Sequence, residues 1–279
     1  MGAPRFLVLN YYNDVQHPTH VISANEEAAG FEAWRVGAAR RSPGHYWTPT
    51  TANQAAWNKT DCGSAKTADM LAIDRVHNLG GVVDVKYQES TDNFAASTID
   101  VLTFTIPTTA SADNTALSAG VRTPEGAYLR TFTETNRRYR RLLIPDMGAG
   151  LKPQIGGIYV GPSWSPPAIN RPHGEDDQAP LAEAVETPWG WEGRTLTVPR
   201  RSGILTIELI DEASYLVADG HIRDQYVKRP MWIVVDEAKA ERAFLARWPL
   251  NERAGFGVPE DYPYRRIQLP YAEYEPLVA

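Results

Sequence analysis

One cysteine among 279 residues, Cys62, removes an internal disulfide and fits a reducing place of synthesis. No apolar run approaches the roughly 18–20 residues that a membrane-spanning helix needs. The opening Met1-Gly2-Ala3-Pro4-Arg5 leads into Phe6-Leu7-Val8-Leu9 and then Asn10, too short an apolar stretch for a signal-peptide core, so synthesis in a cytoplasm is expected. An excess of positive charge is lacking too. The chain carries 28 Lys and Arg against 34 Asp and Glu, a formal charge of −6, which argues against a nucleic-acid-binding surface. The local clusters Arg137-Arg138, Arg140-Arg141 and Arg200-Arg201 do not reverse that balance.

Catalytic signatures are equally scarce. Gly161-Pro162-Ser163-Trp164-Ser165 lacks the closing glycine of a nucleophile elbow. There is no phosphate-binding loop, no dinucleotide fingerprint and no paired-histidine zinc motif. Cys62 is expected as a small buried side chain rather than a nucleophile, since no activating base accompanies it. His173 with Glu175, Asp176 and Asp177 reads as an acidic linker, because nothing at matching spacing completes a metal site. No catalytic, cofactor-binding or metal-binding residue is expected, and the chain is expected not to be an enzyme.

Short strands separated by turn residues are abundant. Phe6–Asn10, Thr19–Ser23, Ala55–Thr60, Asp69–Asp74, Val82–Tyr87, Ile99–Ile106, Ala127–Phe132, Arg138–Ile144 and Gln154–Val160 are expected strands. Asp61-Cys62-Gly63 and Leu79-Gly80-Gly81 are expected turns, residues 107–126 a loop, and a short helix is expected around Glu26–Trp34. Prolines at 162, 166, 167, 172 and 180 mark residues 162–182 as an irregular linker or arm. Residues 183–279 are expected to form a second, smaller unit of α+β or split-barrel type. It would hold a hairpin of Thr195–Val198 with Gly203–Ile210, a helix from Asp211 to Arg229 carrying Tyr215, Ala218, Ile222 and Tyr226 on one face, and strands Met231–Val235, Phe244–Trp248 and Tyr264–Leu269.

The aromatics Trp34, Tyr46, Trp47 and Trp57 precede Asn58-Lys59-Thr60-Asp61-Cys62-Gly63, and Leu71-Ala72-Ile73-Asp74-Arg75-Val76-His77-Asn78-Leu79 follows. Wide aromatics of this kind fill the space between two sheets, so Trp34 and Trp57 are expected in a core, with stacking on a sugar ring the alternative for Trp34, Trp47 or Trp57. His77 and Asn78 are expected to fix a turn through side-chain-to-backbone hydrogen bonds, and Asp74 with Arg75 to form a strand-end network. A glycan-binding rim, if present, is expected at Arg40, Arg41, His45, Tyr46 and Trp47, which offer donors and aromatic faces.

This ordered set resembles the discoidin-like (galactose-binding-like) jelly roll, in the version found in bacteriophage tail-tip and baseplate proteins. Tyr139-Arg140-Arg141-Leu142-Leu143-Ile144 and Ile155-Gly156-Gly157-Ile158-Tyr159-Val160-Gly161 resemble its closing strands. The chain departs from the pattern at Cys62 and at Arg138-Tyr139-Arg140. The resemblance covers residues 5–161 and implies a mainly β chain whose N-terminal sandwich is followed by a smaller β-rich domain. It further implies a structural protein of a phage tail tip, a ring-forming homo-oligomer docked on other tail proteins and contributing to attachment at host surface glycan. Two other classes stay open: a carbohydrate-binding module, and an accessory domain of a polysaccharide-degrading enzyme.

Overall fold

The computed structural model describes residues 5–7, 21–37, 44–166, 169–170, 183–186, 192–195, 202–210, 230–247, 255–257 and 265–273. Its strands are, in chain order, β1 (Arg5–Leu7), β2 (Val21–Ala24), β3 (Ala56–Ile73), β4 (Val85–Ser90), β5 (Ile99–Phe104), β6 (Val121–Arg122), β7 (Tyr128–Ile144), β8 (Ile158–Gly161) and β9 (Ser163–Trp164). They continue with β10 (Ile169–Asn170), β11 (Glu183–Glu186), β12 (Glu192–Thr195), β13 (Ser202–Ile210), β14 (Met231–Val234), β15 (Phe244–Arg247), β16 (Gly255–Gly257) and β17 (Arg265–Glu273). The fold is mainly β and its sheets are antiparallel. Two compact units result, the first holding β1–β9 and β14, the second the remaining strands.

Two long strands organise the first unit. β3 and β7 pair along nearly their whole length, from Ala56 opposite Ile144 to Ile73 opposite Tyr128. The register shifts between Asp61 and Lys66 and again between Ala68 and Met70. Such bulges bend a strand and increase its twist, so each long strand serves two layers. The first half of β3 and the second half of β7 form one layer with β2, β4 and β5. The other halves form a second layer with β6 and β8. The layers meet through aromatic pairs: Tyr87 lies 5.2 Å from Phe132, and Phe104 stacks on Tyr128 at 5.0 Å. Alternate side chains of β3 from Ala56 to Thr60 are buried, as a half-covered strand requires.

The expected turn at Asp61-Cys62-Gly63 is therefore a bulge inside one strand. Gly63 adopts φ +73°, and its amide donates to Asp61 Oδ1 at 2.8 Å, giving local turn chemistry without ending the strand. Ala127–Phe132 and Arg138–Ile144 likewise belong to a single strand. The strand expected from Val82 begins at Val85, because Asp84 takes φ 56°. The expected loop 107–126 contains a one-turn 3-10 helix, Leu117–Ala119, and β6. Cys62 is buried.

The tryptophans do not fall as expected. Trp34 is 52% exposed and Trp57 only half-buried, whereas Trp47 is fully enclosed. The one-turn helix Ala33–Gly37 explains Trp34. Ala33, Val36 and Gly37 turn inward, the carbonyl of Ala33 accepts from Asn58 Nδ2 at 3.2 Å, and Trp34 is left on the outer side.

β1 pairs with β14 on one side and β9 on the other. Trp232 of β14 packs edge-on against Tyr159 of β8 at 6.0 Å. Arg5 ties these pieces together: it meets Glu237 and donates to Ser163 Oγ at 2.7 Å, while Asp69 Oδ2 accepts from the same hydroxyl at 2.8 Å. β14 and the 3-10 helix Glu237–Arg242 thus join the first unit, although the sequence reading assigned them to the second. The proline-rich stretch is not wholly irregular either, since β9 pairs with β1 and β10 pairs with β13.

In the second unit β13 pairs with β10 and β17, and β17 also pairs with β15 and β16. β11 and β12 form a separate hairpin. Of the expected hairpin of Thr195–Val198 with Gly203–Ile210, the second strand lies within β13, and residues 196–201 lie outside the described residues. β13 presents Leu205 and Ile207 to a buried face, and the alternating Ile267 and Leu269 of β17 lie directly opposite them. The helix expected over Asp211–Arg229 and the acidic group His173 to Asp177 lie outside the described residues.

Candidate functional site

Four segments distant in sequence meet at one end of the first unit: residues 31–37, 44–48, 74–79 and 154–157, with Glu125 beside them. Backbone pairing fixes their order. Trp47 and Ile155 exchange hydrogen bonds of 2.8 and 3.1 Å, and the Gly156 amide donates to the Val76 carbonyl at 2.7 Å. Gly156 is required there. A Cβ at this position would lie 2.6 Å from the Val76 Cβ and 3.1 Å from the His45 carbonyl oxygen.

The outer part is an aromatic platform. Phe31 stacks on Tyr46 with centroids 4.7 Å apart, and Trp34 meets His45 edge-on at 5.8 Å. The Arg35 guanidinium lies 5.5 Å from the Phe31 ring and 5.8 Å from the Trp34 ring. Arg35 is in turn held by Glu32 at 3.2 Å. Backbone hydrogen bonds at residue 32, led by its own amide, keep the Glu32 carboxyl below the usual range, with Arg35 adding to the effect. The platform is thus oriented by a charged pair on its own helical turn.

Tyr46 also lines a neighbouring cleft of about 430 Å³, together with Arg75, Val76, His77, Asn78, Glu125 and Gln154. Arg75 Nη1 lies 3.8 Å from Glu125 Oε2, so the cleft offers a cationic donor and a carboxylate acceptor side by side. The expected partnership of Arg75 with Asp74 includes the Arg75 backbone amide, which donates to Asp74 Oδ1 at 2.7 Å.

His77 and Asn78 shape the cleft from beneath. Asn78 Nδ2 donates to the Lys152 carbonyl at 2.8 Å, and Asn78 Oδ1 accepts from the Gln154 amide at 2.8 Å. The Leu79 amide donates to His77 Nδ1 at 3.1 Å, which leaves the proton on Nε2 to donate to the Gly126 carbonyl at 2.9 Å. Burial pushes the His77 imidazole down from 6.5 to about 4, the Gly126 carbonyl opposing only in part. The unfolded chain therefore takes up a proton near pH 6.5 that the folded chain refuses until about pH 4. Stability supplied by neutral His77 is complete above that window and lost on descending through it, about 3 kcal/mol in all. Urea midpoints at pH 7 and pH 4.5 should show this loss, and His77→Gln should lack that share of the slope. An unchanged slope in the variant contradicts the assignment.

Of the residues expected to form a rim, Tyr46 is the one that lines the cleft. His45 is buried behind Trp34, Trp47 is core, and Arg40 and Arg41 lie outside the described residues. Trp34, Phe31, Arg75, Glu125 and Gln154 complete the site, and of these Trp34 alone was expected, as the alternative to core, to stack on sugar. Trp34 carried a readable signal: apolar Ala33 and Val36 recur at i and i+3 while Glu32, Trp34 and Arg35 occupy the other side. Glu125 and Gln154 carried none, because only the fold brings them to Arg75 and Asn78. Among the described residues no three His, Cys, Asp or Glu side chains converge as metal ligands. Donors, acceptors and an aromatic face in one concavity suit reversible recognition of a polar ring compound.

No family model and no curated protein matches this chain. Among solved structures it is similar to chitosan-binding module 1 from a chitosanase/glucanase of Paenibacillus sp. IK-5, with TM-score 0.39 and 19% identity over 56% of this chain and 97% of that one. Chitosan-binding module 2 of the same enzyme, in complex with chitotriose, gives 0.39 and 14% over 56% and 98%. CBM32-3 from a family 31 glycoside hydrolase of Clostridium perfringens gives 0.39 and 13% over 55% and 93%.

Proposed function

We propose that the first unit is a glycan-binding module that holds sugar without turning it over. The observation that carries this reading is Trp34, a tryptophan 52% exposed yet held in place by His45 and Arg35. A large aromatic left uncovered and braced offers apolar area to the C–H face of a pyranose at little ordering cost. In the neighbouring cleft that Tyr46 lines, Arg75, Glu125 and Gln154 supply the donors and acceptors that sugar hydroxyls need. The ordered sequence motifs support a setting for this activity, the tail tip of a long-tailed phage. There the chain would stand in a ring with other tail proteins and turn the platform toward host surface glycan.

The test is a glycan array probed with the full chain, chitosan oligomers included, followed by assay of the same glycans for released reducing ends. Binding of at least one glycan with no release is expected. Trp34→Ala should weaken that binding by about tenfold to a hundredfold, the loss expected for an aromatic anchor. Release of sugar fragments would place the chain among enzymes, and binding indifferent to Trp34→Ala would remove the platform from the account.

A further inference from the structure

We propose, resting on the glycan-binding reading, that the cleft lined by Tyr46 accepts an uncharged sugar ring with two adjacent free hydroxyls. The Arg75–Glu125 pair turns away rings that bear a carboxylate or an ammonium group. Arg75 Nη1 lies 3.8 Å from Glu125 Oε2, beyond hydrogen-bonding distance. Among the described residues neither the Arg75 guanidinium nor the Glu125 carboxylate has a hydrogen-bond partner. Their side chains are nevertheless only 24% and 36% exposed. Partly desolvated groups with open hydrogen-bonding positions favour a ligand that supplies the missing partners.

The backbone, rather than the pair itself, sets this spacing. The Arg75 amide donates to Asp74 Oδ1, and the Arg75 carbonyl accepts from the His77 amide at 2.9 Å. Glu125 stands on the turn between β6 and β7. There the Gly126 amide donates to the Thr123 carbonyl at 2.9 Å, and the Ala127 amide donates to Thr123 Oγ1 at 3.1 Å. His77 Nε2 donates to the Gly126 carbonyl at 2.9 Å and so ties the two turns together. A pair held apart in this way loses little freedom when a ligand enters. Neighbouring hydroxyls on a pyranose, unless both are axial, stand one hydrogen-bond length apart, roughly 2.8 Å. One accepts from Arg75 while the other donates to Glu125, and each bond is charge-assisted.

Charge around the cleft is balanced. Asp74 and Arg122 act on His77 with opposite signs, and the Arg122 guanidinium donates to the Pro107 carbonyl. Arg75 and Glu125 cancel in the same way. The remaining polar lining, Tyr46, His77, Asn78 and Gln154, is neutral at pH 7. A carboxylate on the ring would gain from Arg75 and lose to Glu125 at nearly the same distance, and an ammonium would meet the reverse. Either ion would give up its water without net compensation. A neutral diol exchanges water for two charge-assisted bonds, so the pair discriminates by repulsion as well as by attraction.

The test is a glycan array probed with the full chain, with Arg75→Gln and with Glu125→Gln. The array carries terminal galactose, galacturonate and galactosamine, the matching glucose series, and monodeoxy forms of the neutral rings. The unaltered chain should bind a neutral ring about tenfold or more tighter than either charged counterpart, the scale of one charge-assisted contact. Loss of either hydroxyl of one adjacent pair should weaken that binding about tenfold. Glu125→Gln leaves Arg75 unopposed and should move the preference to the uronate. Arg75→Gln leaves Glu125 unopposed and should move it to the amino sugar. New binding of this kind cannot arise from misfolding. Trp34→Ala should weaken all rings alike and keep their order. A charged ring bound by the unaltered chain as tightly as its neutral counterpart overturns the proposal and leaves the glycan-binding reading standing. So does an unchanged order of preference in either variant, or indifference to every deoxygenation. An array blank for the unaltered chain removes reading and proposal together.

Discussion

Replacing Arg140 with alanine is expected to destabilise the first unit by about 3–5 kcal/mol, the cost of stranding a buried charge. Arg140 and Glu89 are both 0% exposed and lie 3.1 Å apart between the two layers. Arg140 also donates to the Arg137 carbonyl at 2.9 Å and the Lys66 carbonyl at 2.5 Å, and its Nη1 approaches Cys62 Sγ at 3.4 Å. Those carbonyls flank the bulge where β3 passes between layers, so the guanidinium replaces ladder hydrogen bonds that the bulge interrupts. Glu89 Oε1 accepts from Tyr87 at 2.5 Å, Thr135 at 2.8 Å and Arg140, whereas Oε2 has no hydrogen-bond partner among the described residues. Removing Arg140 leaves the Glu89 charge buried without its cation. Urea unfolding should show the loss, and Glu89→Leu combined with Arg140→Met should recover much of it, because two apolar residues need no compensation. A loss under about 1 kcal/mol in Arg140→Ala would mean that the pair contributes little.

Trp47→Ala is expected to cost about 3–5 kcal/mol, as for emptying any large buried aromatic site. Its indole is enclosed, its Nε1 donates to the Glu26 carbonyl at 3.0 Å, and its backbone pairs with Ile155. The substitution removes packing and leaves the Glu26 carbonyl unmet. Trp34→Ala, thirteen positions earlier, should change stability by about 0.5 kcal/mol or less, in keeping with an exposed side chain. The two variants together separate core from surface. Equal destabilisation by both would contradict the placement of Trp34.

The strand character of the first unit was legible because alternation persists through Ala56–Thr60 and Tyr139–Ile144, where one face is covered and the other open. The continuity of β3 and β7 was not. Asp61-Cys62-Gly63 has the residues of a turn, and a bulge uses the same chemistry without ending the pairing. The return of β14 to the first unit could not be seen either, since Met231–Val234 is apolar throughout and would suit either unit; only its pairing with β1 decides. Of the site, Tyr46 was legible as an aromatic next to turn residues. Trp34 was mistaken for core because a count of tryptophans carries no direction. The one-turn helix supplies that direction by spending Ala33 and Val36 on the interior.

The most direct test of the account is a structure of the full chain with the glycan it binds best on the array. The account predicts a sugar ring lying against the Trp34 indole, with hydroxyls reaching toward Arg75 and Glu125. A glycan that binds with its rings away from Trp34, leaving the indole open to solvent, would contradict it.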